Sequence, residues 1–78
     1  GDREVWDKQL ADGGRAVVLF NRGPKSQEIS VSWTEIGYPQ HVAAQVRDLW
    51  AHKDLGKLIG KFSAEVPSHG VVMVTVKP

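Results

Sequence analysis

With 78 residues, no cysteine, and ten Lys and Arg set against nine Asp and Glu, the chain is one small domain. It holds itself together by packing or against a partner, because disulfides, thiolate metal sites and cysteine nucleophiles are all excluded. A net charge of +1 with no basic run interleaved with aromatics leaves no nucleic-acid footprint, and no apolar stretch approaches the ~20 residues that cross a bilayer as a helix.

Apolar residues recur with period two, and turn residues punctuate them at short intervals, which is the sequence form of an all-β sandwich. Val5 to Leu10 reads as a first strand, closed by the turn Asp12-Gly13-Gly14. Arg15 to Asn21 is the second. After Arg22-Gly23-Pro24-Lys25-Ser26, the segment Gln27 to Trp33 alternates cleanly, with Ile29, Val31 and Trp33 on one face and Glu28, Ser30 and Ser32 on the other. Thr34 to Pro39 breaks the alternation with room for one short helical turn. Val42 to Trp50 resumes as a strand whose phase slips near Asp48, which a β-bulge around Arg47-Asp48 resolves. Lys53-Asp54-Leu55-Gly56 reads as a turn. A strand through Leu58, Gly60, Phe62, Ala64 and Val66 follows, then the turn Pro67-Ser68-His69-Gly70, and Val71 to Val76 is the last strand. The expected fold is therefore all-β, an antiparallel Greek-key β-sandwich of about seven or eight short strands, in a single domain over residues 1–78. The opening Gly1-Asp2-Arg3-Glu4 does not read as a signal peptide, so any such segment is expected upstream.

Two strands depart from half-burial. Ala16-Val17-Val18-Leu19-Phe20 and Val71-Val72-Met73-Val74 are apolar on both faces, the pattern of strands covered on each side. A sandwich this small has one interior. Side by side in one sheet, the two strands would join their second faces into an apolar patch of the kind that marks an interaction surface. The expected patch is Val17, Leu19, Val72, Val74 and Val76, or else the opposite parity, with Trp50 near its rim.

Other chemistry is thinly supplied. Ser68, His69 and Asp48 offer the residue types of a nucleophilic triad without a G-x-S-x-G elbow, and they read instead as turn residues, with Asp48 accepting backbone hydrogen bonds from a neighbouring loop. No spacing among Asp7, Asp48, Asp54, Glu35 and Glu65 selects a glycosidase-type pair. His41, His52 and His69 lack metal-ligand spacing, and His52 and His69 are expected to pin turns by bonding carbonyls. No metal or cofactor is expected. Trp6, Trp50 and Tyr38 could instead stack on a sugar ring, which makes an independent carbohydrate-binding module the alternative reading; Trp33 lies on the buried parity of its strand.

The run Ala16-Val17-Val18-Leu19-Phe20-Asn21-Arg22, the segments Trp33-Thr34-Glu35-Ile36-Gly37 and Val46-Arg47-Asp48-Leu49-Trp50-Ala51-His52-Lys53-Asp54-Leu55-Gly56, and the closing Phe62 to Val72 with Val66-Pro67-Ser68-His69-Gly70 together resemble the C-terminal antiparallel β domain of glycoside hydrolase family 27, the α-galactosidases and α-N-acetylgalactosaminidases. The resemblance implies a Greek-key sandwich that follows a (β/α)8 barrel, in which two aspartates on barrel strands perform retaining hydrolysis. No segment here matches the motifs of those aspartates, so no catalytic residue is carried over. It implies the catalytic barrel of the same polypeptide as partner, and a parent enzyme that is extracellular, vacuolar or lysosomal.

Overall fold

The period-two alternation becomes seven antiparallel strands in residues 2–78, the part of the chain that the computed structural model describes. They are β1 (Arg3–Gln9), β2 (Arg15–Asn21), β3 (Gln27–Ser32), β4 (Ala43–Asp48), β5 (Lys53–Ile59), β6 (Lys61–Val66) and β7 (Val71–Lys77), with one 3-10 turn of helix over Trp33–Ile36. A five-stranded sheet in the order β1-β2-β7-β4-β5 packs against a two-stranded sheet of β3 and β6. The chain leaves the larger sheet after β2 and after β5, and β7 returns to lie beside β4, which is the Greek-key step.

The interior lies between the sheets. β2 contributes Val17 and Leu19, β3 contributes Ile29 and Val31, β4 contributes Ala44 and Val46, β6 contributes Phe62 and Val66, and β7 contributes Val74 and Val76, with Trp33 and Ile36 closing one end. Trp33 is fully buried, and its indole N–H donates to the Val42 carbonyl at 2.8 Å, so the large ring adds apolar area without an orphaned donor. Glu35 accepts from the Ser32 amide at 2.9 Å, which starts the helical turn where the strand was expected to continue through Trp33. Gly37, at φ 90, ends it.

Two boundaries differ from the sequence expectation for local reasons. The reversal between β4 and β5 falls at residues 49–52 and not at Lys53–Gly56. Asp48 Oδ1 accepts from the amides of Trp50 and Ala51 at 2.9 and 3.0 Å, and His52 adopts φ 51, so a side chain and a left-handed histidine do what a turn glycine would have done. The expected bulge is present, with the register shifting between Val46 and Arg47. The extra residue lies on the opposite strand: Val46 faces Gly56 and Arg47 faces Asp54, leaving Leu55 over. The expected single strand across Gly60 is two strands in different sheets. Gly60 turns the corner at φ 86, a conformation that residues with a Cβ rarely adopt.

Candidate interaction face

Strand register decides which side chains face out. Val17 pairs with Val74 and Leu19 with Val72 across β2 and β7, while Val46 pairs with Val76 across β4 and β7. Val17, Leu19, Val74 and Val76 are all 0% exposed and Val72 packs against the same cluster. The named set is therefore the inner set, so the expectation that Val17, Leu19, Val72, Val74 and Val76 face outward is corrected, and the opposite parity, left open by the sequence, faces out. The physical reason is that both faces of β2 and β7 are apolar, so alternation alone does not say which side is inside. Asn21 shares the inner parity with Val17 and Leu19. Here Asn21 is 1% exposed yet fully bonded. Its amide donates to the carbonyls of Lys25 at 2.7 Å and Val66 at 2.9 Å, and its Oδ1 accepts from Gly23 N at 2.8 Å. A satisfied amide can be buried at little cost. Arg15 ion-pairs with Asp7 at 3.4 Å.

The outer face then carries Ala16, Val18 and Phe20 from β2 and Val71, Met73 and Thr75 from β7, all half-buried. Trp6 pairs with Val18, and Val18 with Met73, so one apolar row crosses three strands. The Leu49 amide donates to the Met73 carbonyl at 3.0 Å, which ties the end of β4 to β7. Trp6 is 58% exposed. Its ring meets Phe20 edge to face, with centroids 6.5 Å apart and planes at 68°, and its indole N–H donates to Glu4. Glu4 in turn ion-pairs with Arg22 at 3.1 Å. Beside the row lies a shallow depression of about 270 Å³ lined by Trp6, Asp7, Lys8, Ala16, Val18 and Met73.

The other candidates are dispersed. Trp50 is 66% exposed on the β4–β5 turn. Tyr38 is half-buried beside the core on the far side of the helical turn; its hydroxyl donates to the Gly13 carbonyl at 2.9 Å, and burial raises its pKa above the ordinary value. Trp6, Trp50 and Tyr38 thus sit on three separate elements. Ser68 Oγ donates to the Gly23 carbonyl at 2.7 Å, while Asp48 is committed to its own turn, so the two are bound up in loop structure. His52 and His69 hold their turns through positive φ, at 51 and 56, and no side-chain bond to a carbonyl joins either among the described residues. No group of three or more His, Cys, Asp or Glu side chains gathers for a metal among those residues.

Sequence reasoning held Val18, Phe20 and Met73 only as the unnamed opposite parity and did not choose it. A signal was present in β7, where Thr75 and Lys77 share parity with Met73 while the opposite parity is Val72, Val74 and Val76 throughout.

Comparison with known proteins agrees with this architecture. The family described as the alpha galactosidase C-terminal beta sandwich domain matches residues 1–76. An alpha-galactosidase of Cyamopsis tetragonoloba is 38% identical over 77 residues, covering 99% of this chain and 19% of that protein. Among solved structures, alpha-galactosidase I from Mortierella vinacea superposes with a TM-score of 0.93 at 28% identity, over 97% of this chain and 21% of that one. A GH27 β-L-arabinopyranosidase from Geobacillus stearothermophilus does so at 0.91 and 34%, over 99% and 17%. The chain spans about a fifth of the length of the curated relatives it matches. Matched by the family along all but its last two residues, and built as two antiparallel sheets around one core, this chain belongs to the C-terminal β-sandwich domains of the α-galactosidases.

Proposed function

We propose that the chain is a non-catalytic accessory domain of an α-galactosidase-like glycoside hydrolase, and that it packs on the catalytic (β/α)8 barrel of its own polypeptide and stabilises it. The observation that carries this reading is the apolar outer row of Trp6, Val18 and Met73, on strands whose other face already fills the core. Each ~100 Å² of such surface withdrawn from water contributes about 2.5 kcal/mol before the costs of association. Because the two domains are tethered, their effective concentration is of millimolar order, so a modest interface suffices.

The same face suits a pyranose poorly. Around the depression, Asp7 and Lys8 are the charged residues among apolar ones, and the Trp6 N–H is already given to Glu4, whereas a sugar ring needs several hydrogen-bonding partners around its hydroxyls. Domains of this kind occur both in enzymes described as α-galactosidases and in one described as a β-L-arabinopyranosidase. Sugar choice is therefore assigned to the barrel.

Met73→Lys in the complete polypeptide tests the reading, because a lysine is tolerated on a half-exposed strand face but not under a docked domain. The variant is expected to lose aryl α-galactoside hydrolysis at a temperature several degrees lower than the wild type. An unchanged inactivation temperature would remove the docking face from consideration.

A further inference from the structure

We infer, resting on the docking reading above, that Trp6 is the anchor of that face and that its indole enters an apolar recess on the upstream domain which offers the ring no hydrogen-bond acceptor. Trp6 is the largest exposed apolar side chain on the outer face, since Trp50 lies out on the β4–β5 turn. It is also held in place by the domain itself. Phe20 supports the ring from the neighbouring strand, Glu4 takes the indole proton, and Arg22 fixes Glu4 through its Nη2 at 3.1 Å. The Arg22 amide donates to the Asp2 carbonyl at 2.7 Å, which ties the start of β1 to the loop that carries Arg22. A side chain held this way surrenders little rotamer freedom on docking, and tryptophan is enriched among the few residues that carry most of an interface's binding energy.

The hydrogen bond to Glu4 defines the chemistry of the partner. An indole that reaches a recess with its N–H free demands an acceptor there; one whose N–H is satisfied at home asks for shape and apolar walls alone. The depression beside Trp6 makes the relief a ridge next to a hollow, so the complementary surface is a recess beside an apolar knob. The occupant is the upstream part of the same polypeptide. The family occupies the C-terminal position and the relatives are about five times longer than this chain, so the preceding domain connects through β1, the strand that carries Trp6.

The test uses the complete polypeptide with Trp6→Ala, Trp6→Phe and Met73→Lys. Interdomain coupling is read from whether the two domains melt in one calorimetric transition or two, and Trp6 burial is read from acrylamide quenching of the wild-type emission minus that of Trp6→Phe. The Trp6 component is expected to be quenched several-fold less than an exposed indole. Trp6→Ala is expected to lower the docked-to-undocked ratio about thirtyfold and to split the transition, and Trp6→Phe to recover most of that loss because no N–H is used across the interface. If Met73→Lys uncouples the domains while the Trp6 component is freely quenched, or while Trp6→Ala leaves coupling intact, the anchor is overturned and the docking face stands. If Phe is as damaging as Ala, the acceptor-free recess is overturned. If Met73→Lys leaves the single transition unchanged, the docking reading itself falls and takes the anchor with it.

Discussion

Val17 and Val18 are neighbours on β2 with the same side chain on opposite faces, so one substitution made at each position separates the two faces. Threonine is close to isosteric with valine and is equally suited to a strand, which leaves the hydroxyl as the main difference. At Val17, 0% exposed among Leu19, Val31, Val74 and the rest of the core, the hydroxyl enters an apolar interior, at a cost of about 1–3 kcal/mol by the usual mutational scale for a poorly paired polar group. At Val18, half-buried on the outer face, the hydroxyl reaches water and the cost is within about 0.5 kcal/mol. A chain of this size carries roughly 4–12 kcal/mol of stability in all. A loss of about 2 kcal/mol is therefore a large fraction of it and moves a urea midpoint by about 1–2 M. Urea melts of the two variants, followed by far-UV circular dichroism, are expected to show a lowered midpoint for Val17→Thr and a nearly native one for Val18→Thr. Equal midpoints, or the reverse order, would refute the assignment of faces and with it the apolar outer row.

Asn21→Leu keeps the γ-branched shape but leaves the buried Val66 carbonyl and Gly23 amide without their partners; with each orphaned group costing about 1–3 kcal/mol, the melting temperature is expected to fall by at least 10 °C, which a thermal scan checks. Asp12 has its pKa held below the ordinary aspartate value, first by accepting from the Gly14 amide and then by Lys77 at 3.2 Å. A depressed folded pKa stabilises above the unfolded value and loses that contribution as the pH falls through the folded one, so the stability advantage of the wild type over Asp12→Asn is expected in full at neutral pH, should begin to shrink near about pH 4, and should be lost only below the lower folded pKa, in paired melts.

How much of this was legible in the sequence depends on whether alternation carried the information. Ile29, Val31 and Trp33 against Glu28, Ser30 and Ser32 fixed both the strand and its buried face, and the structure buries all three. The same reasoning failed on β2 and β7 because a strand apolar on both faces has a period but no phase. Nor did β2 supply the phase from its ends: Asn21 is buried within a closed set of hydrogen bonds that no local pattern announces. The corner at Gly60 was invisible for a related reason. Leu58 and Phe62 lie four residues apart and both pack inward, so the parity runs through the change of sheet unbroken. The segment Lys53-Asp54-Leu55-Gly56 held a true signal, attached to the wrong feature. Its glycine has the left-handed φ of 87, but it serves the bulge in β5 and not the reversal, which Asp48 builds four residues upstream with no glycine at all.

The correction of faces leaves the case for a partner stronger than the original parity did. Had Val17, Leu19, Val74 and Val76 faced outward, the interior would have been left to Ala16, Val18, Phe20, Val71, Met73 and Thr75, a set that brings the Thr75 hydroxyl into the core. The observed parity gives the core its uniform valine and leucine wall and still leaves Val18, Phe20, Val71 and Met73 on the other side. A two-stranded sheet covers one face of a five-stranded one, and nothing within the described residues covers the second. Central strands that are apolar on both faces belong to architectures with a layer on each side. On the proposed reading the chain supplies two layers of a three-layer arrangement, and the upstream domain would supply the third.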